Sequence, residues 1–287
     1  MSDVADTAPR DGRSSLPELE ANMLRRFSKP RFAALAMAAA MAFGTTPAVA
    51  QEAIVVGANI GNVPWEFQDQ SGAFVGFEID LMVEVGERLG RPIETVNIPF
   101  QGLFAAVQSG RIDAATSSIT ITEERLKSVS FAQPYYDSDQ SLTVRADSGI
   151  GGLADMSGKV VGVDTGSTGD MWATANTDAH GFAEIRRYEG LNPAMLDLEA
   201  GRLDGYISDI PALLYYVRDK PQFEVVERIP TGERYSVMFA KDAPLAAEVD
   251  EVITAMKEDG TLAAIHEKWF GKAPEAGTST AEVLPMP

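Results

Sequence analysis

The chain has 287 residues, with 24 Lys and Arg against 42 Asp and Glu, a formal net charge of −18 and no cysteine. That acidic excess repels nucleic acid and anionic membrane surfaces, so neither is expected as a partner. The lack of cysteine excludes disulfides, a thiol nucleophile and a lipid-bearing cysteine.

Residues 1–50 are read as a leader, not as fold. Arg25, Arg26, Lys29 and Arg31 precede an apolar run from Phe32 to Phe43, and Ala48-Val49-Ala50 is an A-x-A cleavage site. This is the pattern of a secretory signal peptide cut before Gln51. The run falls short of the ~20 residues a spanning helix needs. Residues 1–22 form a long polar lead, so Met23 is an alternative start. What remains is one large domain or two small ones. An exported, unanchored, cysteine-free chain points to a Gram-negative periplasm.

Ala53 to Ala58 is a compact apolar strand, followed by the loop Asn59 to Pro64. Gly76-Phe77-Glu78-Ile79-Asp80-Leu81 opens a helix running to about Leu89, before Gly90. From Gln101 to Tyr136 come a helix stopped by Gly110, a short strand over Ile112–Ala115, a polar loop and a second helix start. Thr116, Ser117, Ser118 and Thr120 lie beyond the strand's carboxyl end, where open α/β sheets place ligands. Thr122 is positioned to cap the next helix, with Glu123 and Glu124 in its first turn and Arg125 following. Hydroxyls beside one guanidinium form a grip for a small carboxylate. A capped helix with a solvated Arg125 fits the same residues.

Ser141 to Val144 is a strand candidate, and Lys159 to Val163 begins a second α/β unit. Its loop, Asp164-Thr165-Gly166-Ser167-Thr168-Gly169, opens a helix containing Met171 and Trp172, and such a helix start is an anion site. It lacks the lysine of a phosphate loop, and Thr165 stands where a nucleophile elbow needs glycine. A repeat is also present. Gln108-Ser109-Gly110-Arg111-Ile112-Asp113 matches Glu199-Ala200-Gly201-Arg202-Leu203-Asp204. Ser118 and Asp209 each follow five residues beyond the aspartate, as expected of two lobes facing one another. Ordinary helix–strand connectors would also carry this glycine. Lys241, Asp242 and Pro244 start a helix that Gly260 ends, and a closing helix follows. Residues 273–287 have the composition of a disordered tail. His180 and His266 are far apart, and no cluster shows metal-ligand spacing. No cofactor is expected.

GRIDAATSSITITEER (110–125) followed by FAQPYY (131–136) resembles the signature of the periplasmic polar-amino-acid-binding proteins, the solute receptors of ABC importers. The similarity extends over nearly all of Gln51 to Lys272. It implies a two-lobed α/β fold of the type II periplasmic-binding-protein class, hinged at two crossing strands. Lobe one would comprise 51–141 plus 236–272, and lobe two 142–235. It implies an amino-acid ligand, a membrane permease as partner, a monomer and no enzymatic activity. The alternative is an enzyme on the same fold, such as a cyclohexadienyl-type dehydratase.

Residue by residue, Arg125 corresponds to the family's carboxylate-binding arginine, supported by Ser118 and Thr120 and by the backbone and side chain of Thr168 in lobe two; Ser117 and Ser167 are expected at the ligand site as well. Asp209 corresponds to the acceptor for the α-ammonium group; it also stands where it could cap the helix near Pro211. Phe100 corresponds to one wall of the side-chain site, or to a core plug. In the loop Asn59 to Asn62, the amide of Asn62 replaces a frequent aromatic. Asp164 stands where receptors for acidic or amide ligands often carry a basic residue. With Glu66 and Glu78 nearby, or merely solvated, a cationic or neutral polar side chain is favoured.

Overall fold

The computed structural model describes residues 52–287; the expected leader and cleavage site lie outside them. The chain opens with β1 (Ile54–Ala58), a small hairpin of β2 (Phe67–Gln68) and β3 (Phe74–Val75), and α1 (Phe77–Leu89). There follow β4 (Ile93–Asn97), α2 (Phe100–Gln108), β5 (Ala114–Ala115), the single turn α3 (Glu123–Leu126) and β6 (Val129–Phe131). The long strand β7 (Tyr136–Arg145) leads away to β8 (Val160–Asp164), α4 (Thr168–Ala175), α5 (Thr177–His180) and β9 (Glu184–Tyr188). Next are α6 (Leu191–Glu199), β10 (Gly205–Asp209), α7 (Ile210–Val217) and the second long strand, β11 (Phe223–Tyr235). Then come β12 (Met238–Ala240), α8 (Leu245–Glu258) and α9 (Thr261–Phe270).

Two five-stranded sheets result, ordered β4-β1-β5-β12-β6 and β11-β7-β10-β8-β9. In each, the strands of the βαβ units are parallel: β1 with β4 and β5, and β8 with β9 and β10. The returning strands run antiparallel: β12 against β5 and β6, and β7 against β10 and β11. The chain is thus the two-lobed α/β fold expected, with β7 and β11 carrying it between the sheets.

Strand alternation explains the layering. Ile54 and Val56 of β1 point into one core with Phe77, Leu81 and Val85 of α1 and with α8, while Val55 packs into another beneath α2. In the second sheet Val161 and Val163 join the core that contains Ala173 of α4, and Val160 packs against that of α6. Trp65 is fully buried and packs edge-on against Phe77, Tyr136 and Tyr235.

The sequence repeat recurs in the hydrogen bonds. Gly110 and Gly201 both turn with φ +69°, a conformation that penalises any side chain. Asp113 N donates to Val55 O (2.9 Å) and Asp113 Oδ2 accepts from Val55 N (2.8 Å); Asp204 clasps Val160 through the same two bonds at the same distances. The turn ties β5 to β1 in one lobe and β10 to β8 in the other. This clasp shortens β5: Arg111 N and Ile112 N both still donate to Ala106 O at the helix end, so pairing begins only at Ala114.

The segment 273–287, expected to be disordered, is instead held against lobe one. Ser279 donates to Asp137 from its amide (2.7 Å) and hydroxyl (2.5 Å), Thr280 Oγ1 donates to Tyr135 O (2.8 Å), and Lys257 Nζ donates to Glu282 O (3.0 Å). Composition misleads here because hydroxyls and backbone, not apolar burial, secure the segment.

Candidate functional site

The loops at the carboxyl ends of the parallel strands from both sheets meet at one cavity. Asn59 and Asn62 follow β1, Phe100 begins α2 after β4, and Ser117, Ser118 and Thr120 follow β5, with Arg125 from α3. From the other sheet, Asp164, Ser167 and Thr168 lie between β8 and α4, and Asp209 ends β10. All eleven sequence-derived residues line this cavity, and Ser208 joins them. Its volume is about 30 Å³.

Arg125 is 5% exposed. Thr122 caps the turn that presents it, its Oγ1 accepting from Arg125 N at 3.1 Å, so the expected cap is present but the guanidinium is not solvated. Nη1 donates to Thr120 O at 2.7 Å, and Nη2 to Gly166 O of the other lobe at 3.3 Å. Nε is buried with no acceptor. The guanidinium lies 5.5 Å from the Phe100 ring centre and 5.1 Å from that of Phe104. Burial pushes its pKa down to about 10, so it remains a cation at neutral pH, bonded to two carbonyls and to no carboxylate. A desolvated cation in that condition calls for an anion.

Asp209 stands at the N-cap position of α7 but makes no capping bond. Its Oδ1 accepts instead from Gln140 Nε2 at 2.5 Å. Gln140, on β7, also donates to Glu233 Oε1 at 2.9 Å. Glu233, on β11 and 6% exposed, accepts through Oε2 from Thr120 Oγ1 of one lobe (2.7 Å) and Thr168 Oγ1 of the other (2.9 Å). A single carboxylate on a crossing strand thereby connects hydroxyls from both lobes. Desolvation, then the proximity of Glu233, raises Asp209 to about 7. Asp164 is raised to about 6, chiefly by burial, and its Oδ1 makes no close hydrogen bond.

Ser167 spends its hydroxyl as the cap of α4, accepting from Asp170 N at 3.1 Å. Asn62 Nδ2 donates to Ser118 Oγ (3.1 Å), and Asn59 N to Ser117 Oγ (3.2 Å). Glu66 and Glu78 are not solvated: both are 0% exposed, beneath these serines.

Sequence reasoning missed Gln140, Ser208 and Glu233. Nothing local marks them, since polar residues on long strands ordinarily face water. Among the described residues no group of His, Cys, Asp and Glu is arranged to hold a metal ion, and no helix is long and apolar enough to cross a membrane. A larger groove of about 840 Å³ lies outside the cleft, where Leu214 and Tyr215 of α7 face Trp269, Pro274 and Thr278. Arg228 and Lys268 at its edge are each already paired, with Asp139 and Asp80.

Residues 54–272 match the family model of the bacterial extracellular solute-binding proteins, family 3. The chain is 32% identical over 216 residues to the L-cystine-binding protein TcyJ of Escherichia coli (strain K12), covering 72% of this chain and 79% of that protein. To ABC transporter arginine-binding protein 1 of the same organism it is 28% identical, covering 82% and 98%. Among solved structures, an ancestral arginine-binding protein bound to arginine superposes with a TM-score of 0.72 at 34% identity, covering 76% of this chain and 98% of that one.

Proposed function

The chain belongs to family 3 of the bacterial extracellular solute-binding proteins, and from that premise we propose a receptor that captures an amino acid between its lobes and delivers it to an ABC importer. The observation that carries this reading is the pairing of unmet charges across one cavity. Arg125 is a buried cation without a carboxylate, and Asp209 and Asp164 are desolvated carboxylates without a cation. An α-amino acid supplies what both lack. Its carboxylate meets the guanidinium fork, with Ser118, Thr120 and the start of α4 beside it. Its ammonium meets Asp209.

The third charge selects the side chain. One guanidinium faces three carboxylates, Asp164, Asp209 and Glu233, and a zwitterion alone leaves Asp164 Oδ1 unmet. A cationic side chain meets it, a neutral polar one donates to it, and an acidic one would add like charge. In a thermal-shift screen, arginine, lysine, ornithine or glutamine should therefore stabilise the protein, by about 2.7 kcal/mol at 100 times Kd. Tight glutamate binding with no response to those four would overturn the assignment.

The moving bodies are taken as 51–141 with 236–272, and 142–235, hinged at β7 and β11, with the protein exported to the periplasm, free of the membrane and monomeric. A ligand touching both lobes favours the closed arrangement. X-ray scattering should show the radius of gyration falling as ligand saturates; an unchanged curve would count against hinge closure. The value of about 7 for Asp209 also suits a general acid–base group. Incubation with a prephenate- or arogenate-like substrate separates the readings, and no turnover is expected.

A further inference from the structure

Two acidic residues lie outside the cavity lining and take no part in the scheme above. Glu66 precedes β2, Glu78 is in the first turn of α1, and both are 0% exposed. The titratable groups bearing on them are each other and Tyr135; no cation is among them. They lie close enough for the charge of one to act on the other, and each leaves Oε2 buried with no hydrogen-bond partner. Two adjacent buried carboxylates do not both ionise, and a proton on one of these oxygens turns it into a donor toward the other carboxylate.

The remaining bonds place that proton. Glu78 accepts from Ser118 N at 2.8 Å and from the Tyr135 hydroxyl, at a helix N-terminus that favours negative charge. Glu66 Oε1 accepts from Ser117 Oγ at 2.6 Å. Glu78 is thus the ionised partner and Glu66 the acid. Burial and the charge on Glu78 hold Glu66 well above the usual carboxylate range.

We propose that Glu66 and Glu78 share one proton and act as a single positioning pair, setting Ser117 and Ser118 for ligand binding; this rests on the receptor reading above. Ser118 has φ +44°, a left-handed conformation unusual outside glycine, and Glu78 secures its amide there. Ser117 gives its proton downward to Glu66 and takes Asn59 N on one lone pair, so toward the cavity it presents one lone pair and no proton. A hydroxyl restricted in this way accepts from an ammonium or guanidinium N–H and cannot donate to a carboxylate. The pair thereby extends the site's preference for a cationic side chain without touching the ligand.

The test uses Glu66→Gln and Glu66→Leu in the exported chain, with melting followed by pH and affinity by calorimetry. Gln keeps both bonds of the protonated acid; Leu keeps neither. A carboxyl whose folded pKa is raised holds its proton in the folded state while the unfolded chain releases it above about pH 4.3. The wild type therefore loses stability relative to Glu66→Gln as pH rises from there, until the folded pKa is reached. The Tm advantage of Glu66→Gln should be near zero at about pH 4 and grow through about pH 7. Affinity should stay within about threefold in the Gln variant and fall at least about tenfold in the Leu variant. A Tm difference flat above about pH 5 would overturn the shared proton. Unchanged affinity in folded Glu66→Leu would overturn the positioning role. Wild-type protein that binds no amino acid would sink the receptor reading, and the positioning role with it, while the pH series still decides the shared proton.

Discussion

Replacing Arg125 by alanine is expected to weaken binding of the cognate amino acid at least ~30-fold, the largest effect of any single substitution in the cleft together with that at Asp209. Truncating one partner of a buried charge pair costs about 2–5 kcal/mol of affinity or more, and each 1.4 kcal/mol is about tenfold. The structure indicates why the loss should fall on binding. Within the protein, Arg125 bonds only two carbonyls and leaves Nε without an acceptor, so its removal relieves a buried cation that no protein carboxylate pairs. The Tm of the ligand-free variant should therefore stay close to that of the wild type, less what is lost against Phe100 and Phe104. Arg125→Lys retains charge but not the planar fork, and should still bind about tenfold more weakly. Calorimetry decides the matter: native affinity in folded Arg125→Ala would remove the guanidinium from the carboxylate site.

Asp209→Ala should produce a loss of similar size by a different route. Its position before α7 allowed a helix cap, whose removal costs about 1 kcal/mol of stability. The side chain makes no such bond and reaches Gln140 instead, so the expected signature is lost affinity with little lost stability. pH provides a second reading. Asp209 must be ionised to accept an ammonium group, and desolvation beside Glu233 raises it to about 7. Affinity should therefore decline as pH falls below that value, by up to about tenfold per pH unit. For a ligand with a cationic side chain, Asp164, raised to about 6, adds a second such dependence, so the decline steepens. Asp209→Asn should bind weakly and lack the first component. A pH-independent Kd between about 5 and 8 would be incompatible with the assignment.

Much of this architecture is local enough to be legible in sequence. Gly90 after α1, Gly110 after α2 and the Thr122 cap are punctuation whose reason lies within a few residues: left-handed φ, or an amide needing an acceptor. The Gly-Arg-x-Asp repeat announced two similar units, and its aspartates make identical clasps, so both the repeat and its connector role are real. The order of strands and helices then brings the loop residues to one place, because parallel βαβ units put their strands' carboxyl ends on one edge. That is why eleven residues taken from chain order alone line one cavity.

What the sequence by itself determined is therefore the first strand and main helices of each α/β unit, the two-lobed class and the edge on which polar loops gather, while β4, β9 and the β2–β3 hairpin went unmarked. The tertiary structure decided which charges are desolvated. Glu233 meets Thr120 across 113 positions of sequence and Thr168 across 65, and Glu66 meets Ser117 across 51. In sequence each is an unremarkable acidic residue with a solvated side chain as its ordinary fate. The C-terminal segment, rich in small and polar residues with three prolines, is the reverse case, disordered by composition yet fastened by Asp137 and Tyr135 from far upstream. A backbone turn or a cap is specified by neighbours a few residues away, whereas the free energy of a charge depends on whatever the fold places around it, and that surrounding exists only once the lobes have folded.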